Sequence, residues 1–216
     1  MPQGFLAVSS HPSPQLPIKE FNEWYDEEHI PLRLNNLKEF LSGARYKVVS
    51  RHGCRNQHES EDENTESIQT SWLALYTVSS PAIFSSSAYQ ALRINRSDRE
   101  KDVMSRIEVL IRITGEIVGT HLNEKMGFSP GRPSGWVVTH GIQTQSDGIS
   151  SWASKIEHEV TKYGEIGEGW ARTLLVLVLE SGVSRFETSV EANDEVKMPY
   201  FAVHGKLSET SHWHKH

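Results

Sequence analysis

The sequence predicts an α+β fold: a tandem of two split βαβ units, the second diverged or truncated. Three observations predict it. Across residues 1–125 the local signals run strand, helix, strand, strand, helix, strand, which is the ferredoxin-like order. A Gly- and Pro-rich linker follows at 126–135 (MGFSPGRPSG). The opening then recurs as strand, helix, strand, strand over 136–208, before a tail at 209–216. The match between the two parts is in element order, not residue identity.

Residues 4–10 (GFLAVSS) read as a short buried strand, and three prolines between 11 and 17 demand a loop. Pro17 is suited to open a helix whose inward face carries Phe21, Trp24, Tyr25, Glu28 and Leu32 at helical spacing. Pro31 disfavours helical geometry at Ile30, so the helix is predicted to end near His29. Residues 44–50 (ARYKVVS) and 71–78 (SWLALYTV) form the next strands. Between them, 52–70 holds five acids, one base and almost no apolar residue, the pattern of a solvated hairpin insertion. Ser80-Pro81 supplies an N-cap and a first-turn proline. Ser97-Asp98-Arg99-Glu100 is a capping box, with Val103 and Ile107 one turn apart behind it. Residues 108–118 (EVLIRITGEIV) close the first unit as its fourth strand.

In the second unit, 136–144 (WVVTHGIQT) is a strand and Asp147 an N-cap. Ile149, Trp152, Ile156, Val160 and Tyr163 make a helical stripe that Gly164 stops. Residues 171–180 (ARTLLVLVLE) read as a strand buried on both faces, and 198–207 (MPYFAVHGKL) as the last strand.

Composition narrows the function classes. Lys and Arg total 22 against 28 Asp and Glu, a formal charge of −6, and most of that excess lies in 52–70. No basic stripe marks a nucleic-acid partner. The longest apolar run, 174–179, is too short to span a bilayer, and 1–10 lack the pattern of a signal peptide. Cys54 stands alone, which rules out an intrachain disulfide or a thiolate cluster. A reduced, cytoplasmic setting is expected. There is no HExxH, haem-attachment, phosphate-loop or nucleophile-elbow motif, so catalysis is expected to need no metal or nucleotide. The histidines of the tail (His212, His214, His216) are discounted as a site because chain ends are commonly unstructured.

The run Phe21-Asn22-Glu23-Trp24-Tyr25-Asp26-Glu27-Glu28-His29-Ile30-Pro31-Leu32-Arg33-Leu34 resembles the WYD-x-EH-x-P-x-R signature of EthD-like proteins in the dimeric α+β barrel superfamily. Phe40-Leu41-Ser42-Gly43-Ala44-Arg45-Tyr46 is similar to the strand that follows it there. Trp72-Leu73-Ala74-Leu75-Tyr76 with Ser80-Pro81 is similar to the next strand-to-helix turn. The resemblance covers roughly 4–120 and departs at the turn before Phe40, at Lys47, and in the long acidic insertion. It implies a sheet that encloses an apolar, ligand-sized cavity and a homodimer as the partner state. Such proteins include polyketide cyclases, decarboxylases of aromatic polyketide acids, cofactor-independent monooxygenases, muconolactone-type isomerases, haem enzymes and stress proteins. The fold therefore does not name the reaction.

His29 is the first candidate catalytic residue. In a last helical turn the macrodipole would favour the imidazolium and bring its titration near neutrality, as general acid–base work requires. Glu28 is expected to pair with Arg33 or Arg45, or to be a buried acid. Strand alternation puts Trp72, Ala74, Tyr76 and Val78 on one face, expected to line the cavity, and Leu73, Leu75 and Thr77 on a face expected to meet helices. Tyr46, with Ala44 and Val48, is expected in the same interior. Tyr46 and Tyr76 would then polarise a substrate oxygen while Trp24 and Trp72 wall the cavity. His11 and His140 occupy similar places in the two units and are further pocket candidates, and His204 is mid-strand.

The function expected is a cofactor-free lyase or cyclase (decarboxylation, aldol or related ring closure) acting on a hydrophobic polyketide- or terpenoid-like metabolite. A cofactor-independent monooxygenase on a phenol and a non-catalytic small-molecule-binding or stress-response barrel are the alternatives.

Overall fold

The computed structural model describes residues 2–49, 70–122, 134–144, 146–162, 170–185 and 198–206. The acidic segment up to Gln69, Cys54, most of the linker, Tyr163, Gly164 and the tail lie outside the described residues.

The first half is β1 (Gly4–Pro12), α1 (Ile18–Trp24), a π-helical turn (Tyr25–His29), α2 (Ile30–Asn36), β2 (Phe40–Lys47) and β3 (Trp72–Val78). A 3₁₀ turn (Pro81–Ser85), α3 (Ser87–Ile94), α4 (Asp98–Ser105) and β4 (Ile107–Leu122) complete it. The second half is β5 (Trp136–Ile142), α5 (Ser146–Lys162), β6 (Trp170–Arg185) and β7 (Tyr200–Lys206). All seven strands form one antiparallel sheet in the order β2-β3-β1-β4-β6-β7-β5. The order β6-β7-β5 repeats β2-β3-β1.

The halves join where β4 pairs with β6, from Val109 opposite Arg185 to Leu122 opposite Arg172. Register shifts at Thr114/Gly115 and Ile117/Gly119 interrupt this ladder, and such bulges bend and twist a strand. The sheet curls until Phe5, Leu73 and Leu75 of one half pack with Leu174, Val176 and Val203 of the other. The rings of Phe5 and Phe201 lie 6.1 Å apart. Helices cover the convex side. Leu6, Ala74, Tyr76 and Val78 pack there with Phe21, Trp24, Tyr25 and Val103. Under α5, Ile142, Leu175, Tyr200 and Ala202 pack with Ile149 and Trp152. Both faces of β1 are therefore buried, which is why 4–7 form an unbroken buried run. Each large side chain so buried is worth about 1.5–3 kcal/mol against leaving it exposed.

Two expectations are corrected. The helix does not end at His29. The Ile30 N–H bonds to the Tyr25 carbonyl, a π-helical pairing, and the chain stays helical to Asn36. The wider turn gives the Pro31 ring room against the preceding carbonyls that an α-turn denies it. The face of β3 that meets the helices is also the opposite of the one expected. Its aromatic face meets the helices and its Leu73/Leu75 face lines the concave interior, because curling puts the helices outside.

Gly115 sits at the seam, where an added Cβ would lie 2.4 Å from the Leu177 carbonyl oxygen and 2.4 Å from Val176 Cγ1. Gly182, one strand over, has open space at the same position. Gly115→Ala is expected to lose about 1–3 kcal/mol by urea denaturation, as overpacked sites do, while Gly182→Ala stays near the wild type.

Candidate active site

The π turn aims His29 inward. It is 8% exposed, with its ring 4.4 Å from that of Trp24 and 4.8 Å from that of Tyr25. Its Nδ1 bonds Glu100 Oε1 at 3.0 Å. Glu100 is the last residue of the capping box, and Ser97 caps as expected by accepting from the Glu100 backbone N–H. The Glu100 carboxylate instead crosses to His29, and the Ser97 hydroxyl donates to Glu28. Glu28 is therefore bound to α4 and paired with neither Arg33 nor Arg45. Arg33 donates to the His29 carbonyl at 2.7 Å, and Arg45 donates to Asp26 and Asn22 at 2.8 and 2.9 Å. The Arg45 guanidinium also lies 4.2 Å from the Tyr25 ring centroid, which fixes α1 and the π turn to β2.

His29 opens onto a cavity of about 350 Å³ between the helices and the convex face of the sheet. Leu6 and Val8 of β1, Tyr76 of β3 and Ile107 and Leu110 of β4 form its floor, and Tyr25, Tyr89 and Met104 come from the helices. Ser184 reaches it from β6, so the second half closes one end. Four arginines, Arg33, Arg93, Arg96 and Arg112, also line it.

Burial holds the His29 imidazole down to about 4, and the Arg33 guanidinium pushes the same way against Glu100. This corrects the expectation of a dipole-raised histidine: the π turn lies mid-helix, away from any terminal carbonyls. The carboxyl of Glu100 is kept below its ordinary value by His29, against the opposing effect of burial. The pair is thus a neutral imidazole donating Nδ1–H to a carboxylate, which leaves the Nε2 lone pair as the basic atom. Burial raises the Tyr76 phenol above its ordinary value, so it remains protonated. Its hydroxyl is buried with no hydrogen-bond partner among the described residues. The ring fits against β2 because residue 43 is glycine; a Cβ there would lie 3.0 Å from it.

The other candidates fall elsewhere. Tyr46 pairs opposite Leu73 and packs in the concave interior with Phe5 and Leu174, on the far side of the sheet from His29. Trp24 is fully buried behind His29 and is not part of the cavity wall. Trp72 packs on Phe21 (6.0 Å) and under Arg45 (4.9 Å). His11 bonds the Ser71 hydroxyl at 3.0 Å. His140 lies in the second half, stacked on His204.

Sequence reasoning brought out His29 and Tyr76 but missed Glu100, the four arginines, Tyr89 and the lining role of Tyr25. Only the capping-box glutamate carried a local signal, and that signal pointed to its own helix.

His140 and His204 form a second polar chain. Trp170 Nε1–H donates to Thr173 Oγ1 at 3.0 Å, which bonds His204 Nδ1 at 2.8 Å. His204 Nε2 lies 3.0 Å from His140 Nε2, and His140 Nδ1 lies 3.3 Å from the Gly141 carbonyl. A carbonyl only accepts, so His140 carries its proton on Nδ1 and His204 on Nε2, with Thr173 donating to His204 Nδ1. Burial, with His140 adding to it, holds His204 down to about 4.

No family model matches the chain, and no curated protein matches it. Among solved structures it is similar to an anthrone oxidase-like protein, with a TM-score of 0.50, 8% identity, and 96% of this chain and 74% of that one covered. It is also similar to "Putative monooxygenase (FN1347)" from Fusobacterium nucleatum subsp. nucleatum, with a TM-score of 0.49, 10% identity and coverage of 94% and 75%. The likeness to the anthrone oxidase-like protein shows the fold, an α+β protein with a curled antiparallel sheet; membership among EthD-like proteins is not confirmed by it. No helix among the described residues is long and apolar enough to cross a membrane.

Two measurements check the protonation states. Because His29 and His204 titrate near 4 when folded and near 6.5 when unfolded, the unfolded chain binds more protons between those values. Stability is expected to be lost as pH falls from 6.5 toward 4, with a shallower slope in His29→Gln and in His204→Gln. Nitrogen-15 imidazole spectra at neutral pH are expected to show His140 as the Nδ1–H tautomer and His204 as the Nε2–H tautomer.

Proposed function

We propose that the protein is an enzyme that removes a proton from a hydrophobic, oxygenated small molecule held in the cavity of the first half. The observation that carries this reading is a buried, neutral imidazole oriented by a carboxylate and facing a cavity that also holds an unsatisfied tyrosine hydroxyl. His29 Nε2 takes the proton. Glu100 holds the ring and stabilises the imidazolium that forms, as a carboxylate does behind any catalytic histidine. Tyr76 Oη–H donates to the substrate oxygen that gains charge. His29 and Tyr76 are both buried, which strengthens these interactions.

Aldol ring closure and related lyase or cyclase steps on a polyketide- or terpenoid-like metabolite use such a proton removal and are the leading reading; in a decarboxylation the same site would instead stabilise the carbanion left when CO₂ departs, which then takes up a proton. Oxygenation is the second, and the name of the anthrone oxidase-like neighbour favours it. The same base would generate a carbanion or phenolate that reacts with oxygen directly. The repeated strand order supports reading the second half as a truncated copy of the first, serving here to close the cavity.

Anthrone is a suitable carbon-acid probe. Exchange of its acidic protons in D₂O, followed by NMR, is expected to fall by about 10²–10⁴-fold in His29→Gln, the usual size of a general-base contribution. Tyr76→Phe is expected to slow it less. Unchanged exchange in a folded His29→Gln protein would sink the assignment, and binding of anthrone with no acceleration at all would favour a binding protein. Oxygen uptake during turnover separates the oxygenase from the lyase or cyclase, which consumes none.

A further inference from the structure

We propose that the cavity beside His29 takes an anion: the substrate carries an ionised carboxylate, held by the guanidinium N–H groups of Arg96 and Arg112. The proposal rests on reading this cavity as the substrate site and adds the charge of what it admits.

Four guanidinium groups line the cavity, and among the described residues only two carboxylates pair with them. Arg112 Nη1 bonds Glu180 Oε2 at 3.0 Å, and Arg96 Nε lies 3.9 Å from Glu100 Oε1, beyond hydrogen-bond reach. Arg33 donates to the His29 carbonyl at 2.7 Å. Among the described residues, neither Arg33 nor Arg93 pairs with a carboxylate. The cavity therefore carries excess positive charge.

Among the described residues, the Nε–H groups of both Arg96 and Arg112 are buried with no acceptor. A buried donor left unpaired is costly, and both arginines line the cavity, where a ligand would supply acceptors to the guanidinium N–H groups that reach it. A guanidinium edge presents two parallel N–H groups that match the two oxygens of a carboxylate. The Arg112 plane is held in place by Phe84, whose ring centroid is 5.3 Å from its Cζ.

The rest of the wall selects the body of the ligand. Leu6, Val8, Leu110 and Tyr76 offer apolar and aromatic surface. An aromatic or polycyclic acid covers that surface, whereas free phosphate leaves it in contact with water. The groups that face His29 are Arg33, Arg96, Glu100 and the rings of Trp24 and Tyr25. Burial first, then Arg33 and to a smaller extent Arg96, hold the imidazole toward the acid side. An anion seated on Arg96 offsets that charge, so the base regains strength as substrate arrives.

The test is calorimetric titration of the full chain with 2-naphthoate and with 2-naphthamide, which differ in charge and little in shape. The acid is expected to bind at least about tenfold tighter than the amide, the scale of a charged hydrogen bond. The preference is expected to fall to near one in Arg96→Gln/Arg112→Gln and to be partly kept in Arg96→Lys/Arg112→Lys, which retains charge without the fork. Equal binding of acid and amide by the wild type overturns the proposal. So does a preference that survives in the folded double glutamine variant, or displacement of naphthoate by equimolar inorganic phosphate. The outcomes separate from those of the base assignment. His29→Gln is expected to keep the preference while losing proton exchange. Exchange that persists in His29→Gln with the preference intact removes the base assignment alone.

Discussion

The pairing of β4 with β6 governs the rest of the structure. β4 bonds β1 along one edge and β6 along the other, so a single strand belongs to both halves. Its bulges at Gly115 and Gly119 bend the sheet enough for the face carrying Phe5 and Leu75 to meet the face carrying Val176 and Val203. Once that concave interior is filled, the helices can pack only on the convex side. The layer between helices and sheet in the first half then becomes the place for a cavity, and Ser184 of β6 can reach it.

Within that layer the protonation state of one histidine is a contest of two effects. A helix terminus offers a cation about 0.3–1 kcal/mol, less than one pKa unit. Burial between Trp24 and Tyr25, with Arg33 alongside, lowers His29 from 6.5 to about 4, which is larger than any terminal dipole could offset. Burial therefore wins, and the imidazole is neutral. The π turn makes this possible by carrying the helix past Pro31, which keeps His29 mid-helix and places Arg33 one turn beyond it. Glu100 shows the same economy: its backbone takes the Ser97 cap while its carboxylate orients the imidazole.

Much of the fold was legible locally. The order of strands and helices followed from period-two and helical spacing, from Ser80-Pro81 and from the Ser97 capping box. What alternation could not supply was which face of β3 met the helices. Both faces of β1 and β3 are apolar, since one meets helices and the other meets the opposite half of the sheet, and no one-dimensional pattern tells those two environments apart. Tyr46 followed that error to the far side of the sheet. Pro31 was read as a stop because the rule assumes an α-turn before it. His29 and Tyr76 were legible as candidates from their motif and their strand parity.

By itself the sequence determined the element types, their order, the residues that share each strand face and the identity of the candidate base. Tertiary structure decided the partner of that base, its charge and the charge of the cavity. His29 and Glu100 are 71 residues apart, and Arg33, Arg96 and Arg112 come from α2, the loop between α3 and α4, and β4. Their convergence depends on the curl of the sheet and on burial. These arise only when distant segments pack together, and no local spacing encodes them.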